Sequence, residues 1–418
     1  MWPGPVPLRR GNRSAGYDAT MLDLDAAVQA LDATVSPLEP ESRPLERARG
    51  CVLAEAVRAD GDLPAADISA MDGYALRRDD LNGDEPLPVA QEVPAGAAAE
   101  PLPAGAAARI FTGAALPAGA DTVVPQELAE RLDDGRVRLE ALERGAHVRR
   151  RGELFAAGSI LADVGEAVTA QLTALLAAGG GARVRVFRPP TVALLVTGRE
   201  VVDPARRPGP GQIRNTNGPM FAALVRAAGC PVACEESVGD EAPALRRALE
   251  GCLARADVVI TSGGVSVGDY DLVPQVVAEL EGEVIFHGVA IKPGKPVLAA
   301  RCGERWLLGL PGNPLASLVG WRLFGLPMVR RLGGATDPFG APFRLPLVGD
   351  ARRARRRTEV RMGRWVRGAD GLGVEVLEWK GSHDLTAAAR AETLVRIEAG
   401  DTVSEGTPVA CYPLEECW

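Results

Sequence analysis

Lysine is almost absent from this sequence of 418 residues, which has 47 basic residues in total. Lys292, Lys295 and Lys380 are the only three, so arginine supplies nearly all of the positive charge. Two of the three lie in the hexapeptide IKPGKP. A lysine ammonium contacts phosphate as a compact point charge, whereas an arginine guanidinium binds as a planar fork. Lysine in this one segment therefore indicates a specific role, although chance also explains so small a number.

Histidine and cysteine are scarce as well. The chain has three histidines and seven cysteines, and no two cysteines form a C-x-x-C pair. Zinc sites and disulfide frameworks are usually visible as such clusters. We therefore expect neither, and we interpret the cysteines as buried or incidental thiols.

Long apolar runs and excess positive charge are also missing. No run is long enough to span a bilayer, and the N-terminal MWPGPVPLRRGNRS lacks the apolar core of a signal peptide. The net charge of -8 argues against binding of nucleic acid through bulk charge. We expect a cytoplasmic protein with neither a nucleic-acid nor a membrane partner. Its length predicts two to four domains.

The most informative segment runs from residue 257 to 271, DVVITSGGVSVGDYD. An apolar run with β-branched residues predicts a buried strand, a glycine turn follows, and residues 272–280 have a helical pattern. Such a turn gathers backbone N–H groups around an anion. Asp269 and Asp271 follow the strand's carboxyl end, where open α/β sheets bind ligands. The segment predicts a phosphate and metal site, although by itself it is equally typical of a tight turn with a helix N-cap.

From Thr191 the pattern alternates regularly between strands and helices. Predicted strands cover 191–196, 231–235, 257–261, 284–288, 297–300 and 306–309, and predicted helices cover 215–228, 241–255, 270–281 and 314–330. This alternation predicts a mostly parallel sheet covered on both faces. Because loops at the carboxyl ends of such strands meet at one crevice, we expect convergence of the polar loops. These loops are TGRE (197–200), GQIRNTN (211–217), the glycine turn, IKPGKP and GLPGNP (309–314).

The rest of the chain predicts additional, smaller domains. Residues 21–32, 45–56 and 168–178 have helical patterns, and residues 76–147 contain short strand-like runs. Residues 341–418 predict a small all-β, barrel-like domain. We interpret the arginines at 352–357 as a solvated strand face, and those at 149–151 as either a solvated face or a basic rim. The predicted fold is multidomain α/β. Its predicted domains are 1–60 with 148–189 (linking domain), 61–147 (inserted β-domain), 190–335 (α/β domain) and 336–418 (C-terminal β-domain).

Seven motifs occur together in a characteristic order: SAMDGYA (69–75), TGAALPAGADTVV (112–124), RRRGE (149–153), TSGGVSVGDYD (261–271), IKPGKP (291–296), LPGNP (310–314) and GSH (381–383). Through these motifs the chain resembles the molybdopterin molybdenumtransferases of the MoeA family, the bacterial relatives of the gephyrin E domain. The resemblance implies the last step of molybdenum cofactor synthesis. Adenylylated molybdopterin and molybdate bind, the phosphoanhydride is cleaved, AMP leaves, and the dithiolene receives molybdenum.

The resemblance also implies partners and site residues. It implies a divalent metal, usually Mg²⁺, an elongated homodimer with a cleft built from both protomers, and contact with the adenylyltransferase. Combined with the residue chemistry, it assigns catalysis to Asp72, Thr112, Glu200, Lys292 and Lys295. Substrate binding is assigned to Ser262, Gly263, Gly264, Ser266, Pro311, Gly312, Asn313, Pro314 and Ser382. Metal binding is assigned to Asp240, Asp269 and Asp271, since Mg²⁺ prefers oxygen ligands. Asp72 and Thr112 are expected to serve the partner protomer's share of the cleft.

Three positions depart from the family pattern. Leu154, Arg199 and Asn215 stand where many members have aspartate. These losses of carboxylate bear on how molybdate or metal is held. They leave open a catalytically divergent pterin-binding or scaffold paralogue, while the shared α/β domain leaves open a molybdopterin adenylyltransferase.

Overall fold

The structure is a computed structural model that describes residues 21–266, 271–350, 352–368 and 371–414. Asp269, one of the predicted metal ligands, lies outside these ranges. The chain divides into two units, of which the second is Pro40–Val186 and the first contains the other described residues. No helix in the described ranges is both long enough and apolar enough to cross a bilayer.

A six-stranded sheet forms the centre of the first unit. Its strands, in spatial order, are Val232–Val238, Val192–Thr197, Val258–Ser262, Arg305–Leu310, Leu298–Cys302 and Glu283–His287. The first four are parallel, and Leu298–Cys302 runs antiparallel to both neighbours. The predicted mostly parallel sheet is thus confirmed, with all six predicted strands in it.

Helices cover both faces of this sheet. The described helices of the first unit include Leu24–Thr34, Asn217–Ala227, Ala242–Arg255, Val273–Glu279 and Leu385–Ala388. Another helical run is continuous and consists of Pro314–Gly320, the π-helical turn Trp321–Gly325 and Leu326–Leu332. Leu194 packs with Phe221 in one hydrophobic cluster, whereas the next strand residue, Leu195, packs with Leu249 in another. Successive strand side chains point to opposite faces, so the two clusters lie on opposite sides of the sheet.

The C-terminal part of the first unit is a closed five-stranded barrel. Thr358–Gly368 pairs with Gly371–Val376 and Thr393–Ile397, and the ring closes through Phe343–Val348 and Pro408–Pro413. Two short strands, Arg352–Arg353 and Thr402–Val403, pair separately. The predicted barrel is confirmed. Arg353, Arg355 and Arg356 are exposed as expected, whereas Arg352 and Arg357 are partly buried, and only Arg352–Arg353 forms a strand.

The second unit is mainly β-structure. Its largest sheet has the order Thr122–Pro125, Gly73–Leu76, Ala107–Ile110, Leu87–Val93, Arg136–Leu139 and Ala129–Arg131. Two-stranded pairs join Pro40–Pro44 to Arg183–Phe187, Val57–Arg58 to Ile160–Ala162, and Ile68–Ser69 to Val148–Arg149. The helix Ala170–Ala178 begins at its N-cap Thr169, whose hydroxyl accepts the Leu172 N–H.

The predicted helix over residues 45–56 is wrong. Only Leu45–Arg47 forms one 3-10 turn. Gly50 then adopts φ +80°, and Val52 and Leu53 make β-bridges to Ala167 and Val186. Leu53 is fully buried. Tertiary pairing therefore overrides the helical spacing of the apolar residues.

Candidate functional site

A glycine loop, residues 263–266, follows the central strand Val258–Ser262. Gly263 and Gly264 have φ of +93° and +67°, and a Cβ on Gly263 would lie 2.7 Å from the Thr197 hydroxyl oxygen. Glycine is therefore required at Gly263 by both backbone conformation and space. The Gly263 N–H donates to the Leu310 carbonyl (2.9 Å), which fixes the loop between the ends of neighbouring strands.

A second loop, residues 311–313, lies beside the glycine loop. A Cβ on Gly312 would be 3.8 Å from the Gly263 Cα. Asn313 is the N-cap of the helix that starts at Pro314. The Leu315 N–H donates to the Ser382 carbonyl at 3.0 Å. Predicted substrate-binding positions from three distant parts of the sequence are thus neighbours.

Asn217, a residue that the sequence analysis did not select, ties these two loops together. Its side-chain NH₂ donates to the Ser262 hydroxyl (2.7 Å) and to the Gly312 carbonyl (2.8 Å). A carbonyl only accepts, so this contact fixes the orientation of the amide. Asn217 is 5% exposed, and its amide oxygen has no hydrogen-bond partner among the described residues. Only burial distinguishes Asn217 from the exposed polar residues before it.

The lysine segment IKPGKP approaches the same helix. A Cβ on Gly294 would lie 3.6 Å from the Ala316 carbonyl oxygen. The Lys292 ammonium is 3.2 Å from the carboxylate of the buried Glu359. Lys295 is partly exposed, and no described carboxylate is within ion-pair distance of it. No described carboxylate therefore competes with a ligand for the Lys295 ammonium, whereas the Lys292 ammonium is already paired with Glu359.

Two predicted acidic residues follow neighbouring strands of the sheet. The Asp240 carboxylate accepts the Arg199 backbone N–H (3.2 Å) and lies 3.5 Å from its guanidinium. The Glu200 carboxylate lies close to Gly198, where a Cβ would be 2.7 Å from it. Arg199, one of the three departures from the family pattern, is thus paired with Asp240, a predicted metal ligand. Asp271 is partly buried.

The departure at Asn215 has a local structural role. Its side-chain oxygen accepts the Gly218 N–H at 2.8 Å, in the first turn of the helix Asn217–Ala227. A neutral amide performs this capping as well as a carboxylate does. The substitution therefore preserves the helix terminus while removing a negative charge.

In the second unit, Asp72 and Thr112 form a hydrogen-bonded pair. The Thr112 N–H and hydroxyl both donate to one Asp72 carboxylate oxygen, each at 2.8 Å. These two hydrogen bonds lower the pKa of Asp72 below its usual value. Gly73 is required beside it because a Cβ there would lie 2.1 Å from the Val124 carbonyl oxygen. The pair presents an ionised carboxylate at neutral pH.

Two of the three arginines of the RRRGE motif have local acidic partners. Arg150 pairs with Asp67 at 2.6 Å, and Arg151 pairs with Asp62. Leu154, at the third departure, is 70% exposed. An exposed leucine there replaces a carboxylate without filling a core position.

Three family models match successive parts of the chain. Residues 22–180 match the MoeA N-terminal region (domain I and II), residues 193–331 a probable molybdopterin binding domain, and residues 344–414 the MoeA C-terminal region (domain IV). A Staphylococcus aureus protein named molybdopterin molybdenumtransferase is 32% identical over 85% of this chain and 86% of its own length. The chain belongs to the MoeA family.

Two other members of the MoeA family are also similar to this chain, one in sequence and one in structure. A Nostoc sp. protein, also named molybdopterin molybdenumtransferase, is 40% identical over 69% of this chain and 68% of its own length. The crystal structure of a molybdopterin biosynthesis moeA protein from Pyrococcus horikoshii has a TM-score of 0.79 at 30% identity, covering 96% of this chain and all of that one. The resemblance inferred from the seven motifs is confirmed.

Proposed function

We propose that this protein inserts molybdenum from molybdate into adenylylated molybdopterin and releases AMP, the last step of molybdenum cofactor biosynthesis. The observation that supports this most directly is the convergence of the glycine loop, residues 311–313 and the lysine segment at one end of the sheet. Membership of the MoeA family supports the same reaction. The protein is then a molybdopterin molybdotransferase.

Diphosphate binding needs backbone N–H groups and cations. The N–H of Gly263 already donates to Leu310, and Ser262 is buried beneath the loop. We therefore assign loop support to these two residues and assign ligand contact to Gly264 and Ser266. Lys295 supplies the principal positive charge, because the Lys292 ammonium is already paired with Glu359.

The remaining substrate positions belong to the neighbouring loops. Pro311 and Pro314 restrict the backbone on either side of Gly312 and Asn313. We propose that Asn313 contacts the nucleotide end and that Ser382 closes this side of the site. Glu200 is proposed to act on the reacting phosphate.

The MoeA family implies a divalent cation, usually Mg²⁺. Asp240 and Asp271 offer carboxylate oxygens, the donor type that Mg²⁺ prefers, so the described residues fit such an ion chemically. Asp240 would have to share its carboxylate with Arg199. Asp269 remains a predicted third ligand. When bound, the cation neutralises the negative charge that develops on the phosphates.

The remaining elements of the proposal come from the family. We propose a cytoplasmic homodimer in which Asp72 and Thr112 serve the cleft of the partner protomer, with contact to the adenylyltransferase that supplies the substrate. We also propose the four domains 1–60 with 148–189, 61–147, 190–335 and 336–418. Sedimentation of the full chain tests the dimer.

The decisive experiment is AMP release from adenylylated molybdopterin with molybdate and Mg²⁺. We expect release that depends on both, and at least about a tenfold loss in Lys295→Ala, since a charge-assisted contact contributes roughly 1.5–3 kcal/mol. Lys380→Ala, the matched removal of an exposed lysine, should retain the rate. Asp72→Asn should also lower it.

Two results would count against this function. They are AMP release that never exceeds background, and adenylylation activity when ATP and molybdopterin are supplied instead. Equal rates in Lys295→Ala and Lys380→Ala would contradict the role assigned to Lys295. Tight binding of the pterin nucleotide without turnover, unaffected by Asp72→Asn, would indicate a scaffold protein.

A further inference from the structure

Two cysteines and a glutamate form a compact cluster away from the glycine loop. Cys234 and Glu236 lie on the strand Val232–Val238, and Cys252 lies on the helix Ala242–Arg255 that packs against it. Residues two apart on a strand share one face. The two sulfur atoms are 3.9 Å apart, and both lie within 4.8 Å of a Glu236 carboxylate oxygen.

This spacing matches tetrahedral coordination of one ion. Two thiolates bound at about 2.3 Å to a tetrahedral Zn²⁺ lie roughly 3.8 Å from each other, and a thiolate and a carboxylate oxygen roughly 3.6 Å. The sulfur atoms of Cys234 and Cys252 already meet the first value. Glu236 needs to approach by at most about 1.2 Å, within reach of a small side-chain rotation.

Charge and exposure also suit a cation. Two thiolates, one carboxylate and a divalent ion carry a net charge of −1, which the guanidinium of Arg255 balances. Arg255 forms an ion pair with Glu236, and its Nε–H also donates to the Gly251 carbonyl at 2.9 Å. Cys252 is fully buried, whereas Cys234 and Glu236 are partly exposed, so solvent reaches one side of the cluster.

We propose that Cys234, Cys252 and Glu236 form a binding site for one thiophilic divalent cation of the Zn²⁺ type, with water as the fourth ligand. The ion would fasten the strand Val232–Val238, at the edge of the described sheet, to its covering helix. Cys234 precedes the carboxyl end of the strand by four residues, roughly 13 Å. The site is thus separate from the proposed Mg²⁺ ligands and independent of the proposed reaction.

A reversible disulfide is the competing use of this pair. It would require the sulfur atoms to approach from 3.9 Å to about 2.05 Å. Metal binding needs no such approach, because the present separation of 3.9 Å already matches two sulfur ligands of one ion.

The site is tested by titrating the reduced, metal-free full-length protein with Co²⁺. We expect one Co²⁺ per chain, with sulfur-to-metal charge-transfer absorption and the visible bands of a tetrahedral complex. Zn²⁺ should displace it, and excess Mg²⁺ should not, because Mg²⁺ prefers oxygen ligands. Bound Zn²⁺ should also raise the melting temperature.

Variants identify the ligands. Cys234→Ser, on a partly exposed position, should weaken Co²⁺ binding by about 100-fold or more, since loss of even an outer-shell contact costs about 10–100-fold. Glu236→Gln should weaken binding by about tenfold but keep the sulfur absorption. Cys302→Ser, which removes a partly exposed thiol from another strand, is the matched control and should bind as the unaltered protein does.

Three outcomes would overturn the proposal. One is the absence of sulfur-to-metal absorption at saturating Co²⁺. Another is equal binding by Cys234→Ser and Cys302→Ser. The third is a Cys234–Cys252 disulfide, found by mass spectrometry of peptides, in protein that binds no Co²⁺ after reduction.

Discussion

Asn217 should hold the two ligand loops together, and Asn217→Ala tests this role. The substitution removes two short hydrogen bonds, to Ser262 and to Gly312, and leaves both acceptors without this donor. A buried hydrogen bond contributes about 1 kcal/mol, and each stranded acceptor costs about 1–3 kcal/mol. We expect a loss of about 2–4 kcal/mol in the free energy of unfolding of the first unit. That corresponds to a drop of roughly 4–16 °C in its melting temperature.

Asn215→Ala is the matched control for this experiment. It removes a capping amide two residues away in the same segment, which accepts only the Gly218 N–H. A lost helix cap costs about 1 kcal/mol. The loops at 263–266 and 311–313 keep their own hydrogen bonds in that variant. Asn217→Ala should therefore be clearly less stable than Asn215→Ala.

Calorimetry and hydrogen exchange together measure the effect. Calorimetry gives the loss of stability, and exchange of the Gly263 N–H, which donates to Leu310, reports opening of the loop. We expect faster exchange at Gly263 only in Asn217→Ala. Equal stability in the two variants, with Gly263 exchange unchanged, would refute the idea that Asn217 joins the loops.

Two further predictions concern strain and acid stability. Gly263→Ala should lower the free energy of unfolding by about 2–4 kcal/mol, because the alanine would have a positive φ and would contact the Thr197 hydroxyl. Gly211→Ala, at φ +75° with nothing within 4 Å, isolates the contribution of the positive φ, about 1–2 kcal/mol. Equal losses of the two variants in denaturant unfolding would contradict a role for the Thr197 contact. Burial opposes ionisation of Asp257, but hydrogen bonds from Arg188 and from the main chain lower its pKa from 3.8 to about 2. Because the pKa of Asp257 is lower in the folded than in the unfolded state, its stabilisation is complete above about pH 4 and disappears as the pH falls towards 2. Asp257→Asn should therefore lower the free energy of unfolding by about 2 kcal/mol at neutral pH and by much less at pH 2. A difference between the two proteins that does not change with pH would contradict this.

Local patterns were sufficient for most of the fold. The inner strands of the α/β sheet follow from short apolar runs bounded by glycine and polar loops, because a strand buried on both faces needs apolar residues at successive positions. The failure at residues 45–56 has the opposite cause. There the apolar spacing fits a helix, but bridges made by Val52 and Leu53 to residues more than 100 positions away determine the backbone.

Ordered motifs predicted the parts of the candidate site that lie in loops. They selected the glycine loop, the lysine segment, residues 311–314 and the pair Asp72 and Thr112. The first three are neighbours in the first unit, and the last two share a hydrogen-bonded contact in the second. Their individual roles in binding and catalysis remain predictions.

The sequence by itself determined the alternating strands and helices, the loops at the strand ends and the family, because these depend on residue type and short spacing. Tertiary structure alone decided that Asn217 is buried between two loops, that Arg199 pairs with Asp240, and that Cys234 lies beside Cys252. Each of these contacts joins residues from different elements of the chain. Their energies depend on burial and on distances that the packing of strands and helices sets, and no local pattern encodes those distances.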